Sequence, residues 1–212
     1  MSERVEYRNE CGCFTVNEEG LLIGFAPETE NRLNHAHFLP IACSRAVIDL
    51  HIPEGVRAIG RKTAGKQVEN FRDMLILGEV TFPRSLVAIG EHAFSGSIIS
   101  RIVFPSTLRQ IGCGSFLGSL IHSLTVEKEI LQYLDQDLPL DELEESDEKK
   151  LIFGGRSFKE STVGEVCLQG KAYARFTPAN LRLGMPERRQ SLNEEDWVRC
   201  LMPEAEVLRV LK

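Results

Sequence analysis

The chain has 212 residues, of which 42% are hydrophobic and 26% are charged, and its formal net charge is -6. This is ordinary globular composition, and it excludes a fully disordered chain, a collagen and a coiled coil. A chain of this length buries roughly 70% of its unfolded surface, so its core needs no disulfide framework. The length fits one large domain or two small ones.

The negative charge is concentrated in one segment. Residues 127–150 contain ten acidic residues and three lysines, whereas the rest of the chain has 21 acidic and 22 basic residues. The body is therefore near neutral and has no basic stripe. Because contacts to nucleic-acid phosphates need clustered Lys and Arg, we expect no nucleic-acid partner.

The beginning of the sequence favours a cytoplasmic protein. The first 14 residues contain no apolar stretch of the length found in a signal peptide. No run approaches the roughly 18 apolar residues of a membrane span, so we expect no membrane association. Six cysteines in 212 residues are too few for a dense disulfide framework, and we expect reduced thiols.

Residues 1–48 contain the strand-like segments CFTV and LLIGFAP, and we predict that they cap the first end of the fold as a hairpin or as a degenerate repeat. The same segment contains five residues of the types that bind metals, namely Cys11, Cys13, His35, His37 and Cys43. One-residue spacing places each pair on one side of a strand, so the pairs could share an ion. Zinc motifs usually have two or more intervening residues, and we therefore favour metal-free thiols and predict no cofactor.

The middle of the chain contains an internal repeat. Three blocks align without gaps, namely DLHIPEGVRAIG (49–60), EVTFPRSLVAIG (79–90) and RIVFPSTLRQIG (101–112). Each block has a central Pro and ends in Ile-Gly. A second half-unit follows, in which Phe94, Phe116 and Phe158 coincide, and the first copy has Ala64 at this position.

The spacing of the repeats shows where residues have been inserted. Ile89 and Ile111 lie one 22-residue unit apart. The first copy has eight extra residues between Ala64 and Leu75, and the third has twenty between Val126 and Phe153. Insertions that leave the phase of a repeat intact are typical of a solenoid.

Each unit predicts a short strand with one buried face, because apolar residues alternate before the Pro. The alternating pairs are Leu50 and Ile52, Val80 and Phe82, Ile102 and Phe104, Leu124 and Val126, and Val166 and Leu168. A single unit cannot bury its apolar side. Stacked units can, and we expect parallel strands side by side with the three Phe rings in register along a common core.

This pattern resembles the BspA-like class of leucine-rich repeats, whose unit is matched by VTFPRSLVAIGEHAF and IVFPSTLRQIGCGSF. The resemblance implies an α/β, β-dominated leucine-rich-repeat solenoid, with short parallel strands on one face and irregular or short helical return segments. It gives a single domain, with a cap at 1–48, repeats at 49–170 and a second cap at 171–212. It also implies interaction rather than catalysis, and it allows a secreted or surface protein.

The second cap is predicted to be helical. Ser191 and Glu194 form a capping box that opens a helix, and Pro203 starts a second helix. The apolar residues of the two helices are Leu192, Trp197 and Leu201, then Val207, Leu208 and Leu211. Residues 175–184 resemble a degenerate final repeat.

The acidic insertion at 127–150 has two interpretations. Ile130, Leu131 and Leu134, with Leu138 beyond them, have helical spacing, and 141–150 is predicted to be a solvated loop. A surface loop without a binding role is favoured over a docking element for a basic partner. Deletion of the insertion is then expected to leave stability nearly unchanged.

The outward side of the repeat strands is the main candidate binding site, with a solvated surface as its alternative. Strand alternation places its residues in two columns. The first contains Asp49, Glu79, Arg101, Ser123 and Glu165, and the second contains His51, Thr81, Val103, Thr125 and Cys167.

Three functions follow from these observations. We favour a non-enzymatic scaffold that binds a protein partner. The second is a structural or regulatory module with a metal-stabilised N-terminal cap. The third is a cysteine-dependent enzyme that uses Cys113 and His92, although no nucleophile elbow, phosphate loop or dinucleotide motif occurs.

Overall fold

The computed structural model describes residues 4–29, 32, 45–60, 69–127, 130–134, 138–146, 148–168, 171–174, 191–192 and 208–209. In chain order the elements are β1 (Arg4–Asn9), β2 (Gly12–Asn17), β3 (Leu22–Pro27), β4 (Arg45–Val47), β5 (Leu50–His51), β6 (Ala58–Ile59), β7 (Met74–Thr81), β8 (Ala88–Ile89), β9 (Ile98–Phe104), β10 (Gln110–Ile111), β11 (Leu120–Val126), β12 (Ile130–Tyr133), α1 (Leu140–Glu145), β13 (Lys150–Phe153), β14 (Thr162–Leu168), β15 (Lys171–Ala174), β16 (Ser191–Leu192) and β17 (Leu208–Arg209). The described chain is thus dominated by strands.

The largest sheet, called here the front sheet, contains the strands that precede the repeated prolines Pro53, Pro83 and Pro105. β4 and β5 pair with β7, and β7, β9, β11 and β14 follow one another in parallel. Val80, Ile102, Leu124 and Val166 face one another across these strands. The predicted lateral pairing of the repeat strands is therefore confirmed. β15 and β17 extend the sheet in the antiparallel sense.

A second sheet, the return sheet, lies in the segments that were expected to be irregular or helical. The Ile of each Ile-Gly pair ends a two-residue strand, and β6, β8, β10 and β13 pair in parallel. The pairing is possible because the 22-residue period brings the same peptide groups together in every turn. Each turn then bonds to the next, as when the Gly90 N–H donates to the Ile59 carbonyl at 2.7 Å.

Between the two sheets, Phe rings stack in a continuous row. The centroid of Phe116 lies 5.3 Å from that of Phe94 and 4.9 Å from that of Phe158, with interplanar angles of 5° and 7°. The predicted register of these three rings is confirmed. Phe71 continues the row at 5.2 Å from Phe94, so the first copy has its ring after its insertion and not at Ala64.

Buried serines join each turn to the preceding one beside this row. Ser97 Oγ donates to the Phe71 carbonyl at 2.6 Å, and Ser119 Oγ donates to the Phe94 carbonyl at 2.7 Å. Ser161 makes the same contact with Phe116. The repeated Ser therefore satisfies a buried carbonyl that would otherwise be costly to leave without a partner.

The N-terminal sheet covers the first turn. β1, β2 and β3 form an antiparallel meander. Its apolar side chains Phe14, Val16 and Leu22 are buried in the same core as the repeats. The core is therefore continuous from the cap into the first turns.

The acidic insertion differs from its predicted form. Ile130–Tyr133, expected at helical spacing, forms β12 and pairs in parallel with β13. The predicted solvated loop contains α1, in which Leu143 is fully buried. Leu143 belongs to a second apolar cluster with Leu21, Ala58, Ala88 and Ile152. The insertion therefore packs against the return sheet.

Polar contacts also bind the insertion to the repeats. Arg57 forms an ion pair with Glu144, and Arg109 Nη2 lies 3.4 Å from Glu148 Oε1. The Leu138 N–H donates to Gln110 Oε1 at 3.0 Å. Tertiary partners, and not the local apolar spacing, decide the structure of this segment.

The predicted C-terminal helices lie largely outside the described residues. The parts that are described are extended, since Ser191–Leu192 pairs with β12 and Leu208–Arg209 pairs with β15. The degenerate final repeat predicted at 175–184 also lies outside the described residues. In the described part of the chain, no helix has both the length and the apolarity that a membrane crossing requires.

The first prediction concerns the ring row. Phe116→Ala is expected to lower the free energy of unfolding by roughly 3–5 kcal/mol, because it opens a cavity between two stacked rings. Urea denaturation would measure the change. The control is Leu120→Ala at a side chain that is 48% exposed, for which a change within about 0.5 kcal/mol is expected. Similar losses in the two variants would contradict a core built on the rings.

The second prediction concerns the insertion. Leu143→Ala is expected to cost roughly 2 kcal/mol or more, because the side chain is buried against the return sheet. Glu142→Ala, at an exposed position of the same helix, is the matched control. Equal unfolding midpoints for the two variants in urea would show that the insertion is a surface loop, as its sequence pattern suggested.

Candidate functional site

The outward side of the front sheet, called here the strand face, contains the predicted columns in register. Parallel pairing aligns Glu79, Arg101, Ser123 and Glu165 across β7, β9, β11 and β14. It also aligns His51, Thr81, Val103, Thr125 and Cys167. The predicted placement of these residues is confirmed, while their role in binding stays a prediction.

Asp49, the remaining residue of the first column, is joined to that column by a hydrogen bond. It lies just before β5, and its Oδ1 accepts the N–H of Glu79 at 2.9 Å. Gly78 permits this approach, because a Cβ there would lie 2.1 Å from Asp49 Oδ1. The sequence reasoning missed Gly78, although a glycine inside a strand pattern is the usual signal of a close backbone approach.

A bulge in β7 opens a shallow cleft at this point. The pairing of β7 with β9 shifts by one residue between Ile76 and Glu79. The resulting cleft has a volume of about 440 Å³ and is lined by Asp49, His51, Gly78, Glu79, Ser100 and Arg101. Four of the ten residues in the two predicted columns thus lie around one depression, whereas the other six lie elsewhere along the strands.

Two polar contacts organise the cleft. Arg101 forms an ion pair with Glu79, and His51 Nδ1 lies 2.6 Å from Thr81 Oγ1. Arg101 and Thr81 are exposed, whereas His51 and Glu79 are half-buried. An exposed ion pair adds little to stability, so these groups can exchange their contacts for those of a ligand at low cost.

An apolar row crosses the strand face beside the cleft, and the sequence reasoning missed it. Register aligns Ala46, Leu75, Ile98 and Leu120 across β4, β7, β9 and β11. Ile98 packs against Ala46 and Leu75, apart from the main core. Ala46 and Leu75 are buried, whereas Leu120 is 48% exposed. Two residues after Leu75 and Ala46 along the chain, Leu77 and Ile48 are 52% and 42% exposed. The signal was available, because Ile98-Ile99 and Leu120-Ile121 place an apolar residue on both sides of the strand.

The structure brings Cys11 together with residues other than those predicted. His35, His37 and Cys43 lie outside the described residues, and Cys13 is half-buried in β2. Cys11 lies instead with Glu10 and His51, and the ligand atoms of these three residues are all within 4.8 Å of one another. Sequence distance hid this grouping, since Cys11 and His51 are 40 positions apart.

The environment of Cys11 keeps its thiol protonated. The side chain is buried, and burial raises the pKa of the Cys11 thiol above its ordinary value of 9.0. The charges of Glu10 and Asp49 raise this pKa further, whereas the N–H of His51, which donates to Sγ at 3.3 Å, lowers it. Without a bound cation this cysteine is a poor nucleophile.

Cys113 and His92 lie in neighbouring turns, as their repeat positions imply. The N–H of His92 donates to the Cys113 carbonyl oxygen at 3.2 Å. The His92 ring lies over Gly114, where a Cβ would be 2.8 Å from Cε1. These two contacts join backbones and place a ring against a glycine, and a catalytic role for Cys113 and His92 stays a prediction.

Comparison with known proteins gives one match. The family model of the BspA type leucine rich repeat region matches residues 43–138 in six copies. Neither the curated proteins nor the solved structures contain a match to this chain.

The third prediction distinguishes a buried thiol from a catalytic one. In reduced protein with a chelator present, Cys11 is expected to react with iodoacetamide at neutral pH at least about tenfold more slowly than Cys13. The reason is that Cys11 is 1% exposed and its pKa is raised. Peptide mapping by mass spectrometry after short exposure measures both rates. Modification of Cys11 ahead of Cys13 would contradict this prediction, and one thiol that reacts far faster than all the others would favour a cysteine-dependent enzyme.

Proposed function

Because the chain belongs to the BspA-type leucine-rich-repeat family over residues 43–138, we propose that it is a non-catalytic scaffold that binds a protein partner. In this proposal the repeats form a capped solenoid that presents the strand face. The observation that carries it is the strand face itself, where register aligns a charged cleft beside an apolar row that ends in the exposed Leu120.

The apolar row supports a protein partner over a small polar ligand. Large side chains such as Leu77 and Leu120 are about half exposed, at 52% and 48%. Contiguous exposed apolar residues rimmed by polar groups are typical of protein-binding surfaces. The row is also built by register, so its side chains recur at the spacing between strands and offer anchor points across the sheet.

The cleft supplies the polar half of such an interface. Its side chains carry both signs of charge, with Asp49 and Glu79 against Arg101. A mixed cleft suits a partner that presents a charged pair beside an apolar side chain, and it does not suit a polyphosphate backbone. The near-neutral charge of the chain outside 127–150 supports the same choice.

The fourth prediction tests both halves of the strand face. Native lysate is passed over the immobilised chain, the captured protein is identified, and its affinity is measured with purified components. Arg101→Glu and Thr81→Lys are expected to weaken binding by at least about tenfold, since the first reverses a charge in the cleft and the second adds one next to His51, which lines it. Leu120→Asp is expected to do the same through the apolar row.

Lys159→Glu is the matched control, because it is an equal charge reversal in the turn between β13 and β14, off the strand face. Its affinity is expected to equal that of the wild type. All variants must keep the wild-type circular dichroism spectrum and unfolding midpoint. A partner that binds all three strand-face variants as tightly as the control would overturn the proposed surface.

A further inference from the structure

Three different metal-binding side chains converge where the N-terminal sheet meets the first repeat. Glu10 and Cys11 form the turn between β1 and β2, and His51 ends β5. A carboxylate oxygen, the Cys11 Sγ and a His51 ring nitrogen all lie within 4.8 Å of one another. In a tetrahedral zinc site these atoms are about 3.4–3.6 Å apart, given bonds of about 2.0–2.3 Å to the metal. From separations of at most 4.8 Å, the ligand atoms would have to approach one another by no more than about 1.4 Å to close the site.

The turn that carries two of these residues is held rigidly against the strand that carries the third. Asn9 Oδ1 accepts the N–H of Cys11 at 2.9 Å and that of Gly12 at 3.3 Å. Asn9 Nδ2 donates to the His51 carbonyl oxygen at 2.7 Å. The one amide side chain therefore fixes both halves of the cluster, which lowers the ordering cost of binding an ion.

The secondary contacts of the cluster are those that support a metal ligand. Thr81 Oγ1 lies 2.6 Å from His51 Nδ1, and when Nδ1–H donates to this hydroxyl, the lone pair is on Nε2. The N–H of His51 donates to Cys11 Sγ at 3.3 Å, and such a bond stabilises a thiolate. His51 is thus oriented by a partner outside the cluster, and Cys11 by the backbone of His51 itself.

We propose that Glu10, Cys11 and His51 bind one divalent ion of the zinc class, which joins the N-terminal sheet to the first repeat. A sulfur, a nitrogen and an oxygen ligand together select Zn²⁺ or Co²⁺ over the hard ions Mg²⁺ and Ca²⁺. Binding replaces the thiol proton by the metal and releases that proton to solvent. Three protein ligands leave a fourth position for water or for a side chain of a partner.

The fifth prediction is tested with Co²⁺ and the untagged, reduced and chelator-treated chain. Titration is expected to give one equivalent of Co²⁺ per chain, with a thiolate-to-cobalt charge-transfer absorption that reports sulfur ligation. Zn²⁺ is expected to displace the cobalt. Saturating Zn²⁺ is expected to raise the Tm by about 5–10 °C, because it binds the folded state and closes the cap onto the repeats.

Variants assign the ligands. Cys11→Ala is expected to abolish the charge-transfer band, and His51→Ala and Glu10→Gln are expected to weaken binding at least about tenfold. Thr81→Val, which removes only the supporting hydroxyl, is expected to weaken it roughly tenfold, whereas Thr125→Val, in the same row two strands away, has no effect. Cys13→Ser and His122→Ala are the controls for the cysteine and the histidine.

Several outcomes would overturn the site. The first is the absence of one-to-one binding. The second is a charge-transfer band that persists in Cys11→Ala, and the third is a band that is lost in the His35→Ala, His37→Ala double variant but kept in His51→Ala. If Cys11→Ala does not fold, Glu10→Gln and Thr81→Val decide, since Glu10 and Thr81 are exposed. None of these readouts depends on the partner of the strand face, so the site and the scaffold proposal fail independently.

Discussion

The structure depends on equal spacing between successive turns, which is imposed by the row of Phe rings. Nearly parallel rings such as Phe94, Phe116 and Phe158 stack at about one distance, with centroids 5.3 and 4.9 Å apart. Each turn must therefore follow the same backbone path as the one before it. The serine hydroxyls beside the rings enforce the same condition, because each donates to a carbonyl of the preceding turn.

The strand face follows from that constraint. If every turn repeats, residues at equivalent positions must lie side by side across the front sheet. The residues that alternate with the core-facing ones along each strand must then point outward. Glu79 and Arg101 meet for this reason, as do His51 and Thr81. Insertions change this surface only where they disturb the period. The bulge at Gly78 is such a place, and the cleft lies there.

The sequence predicted what is periodic, and it failed where a segment depends on a single tertiary contact. The registers of Val80, Ile102 and Leu124 could be derived, because a period of two within a period of 22 leaves one possible alignment. The structure of 127–150 could not, because four apolar residues fit a helix or a strand equally well. β13 recruits Ile130–Tyr133 as a strand, and the return sheet buries Leu143 in a stretch that is otherwise acidic. The strand at 130–133 and the burial of Leu143 thus both depend on contacts with residues far away in the sequence.

The candidate sites show the same division. The two columns of the strand face were predictable from alternation. The apolar row was missed because Ile98 and Leu120 lie before the residues that define the repeat block. Cys11 was identified as a ligand type, but its neighbours were sought within its own segment. The turn of a cap and a strand of the first repeat meet only through folding, and Asn9 then holds Cys11 and His51 together. Since His51 also lines the cleft, an ion at this junction places positive charge beside Asp49 and Glu79. In the proposed site, the N-terminal sheet therefore influences the strand face as well as sharing a core with the first repeat.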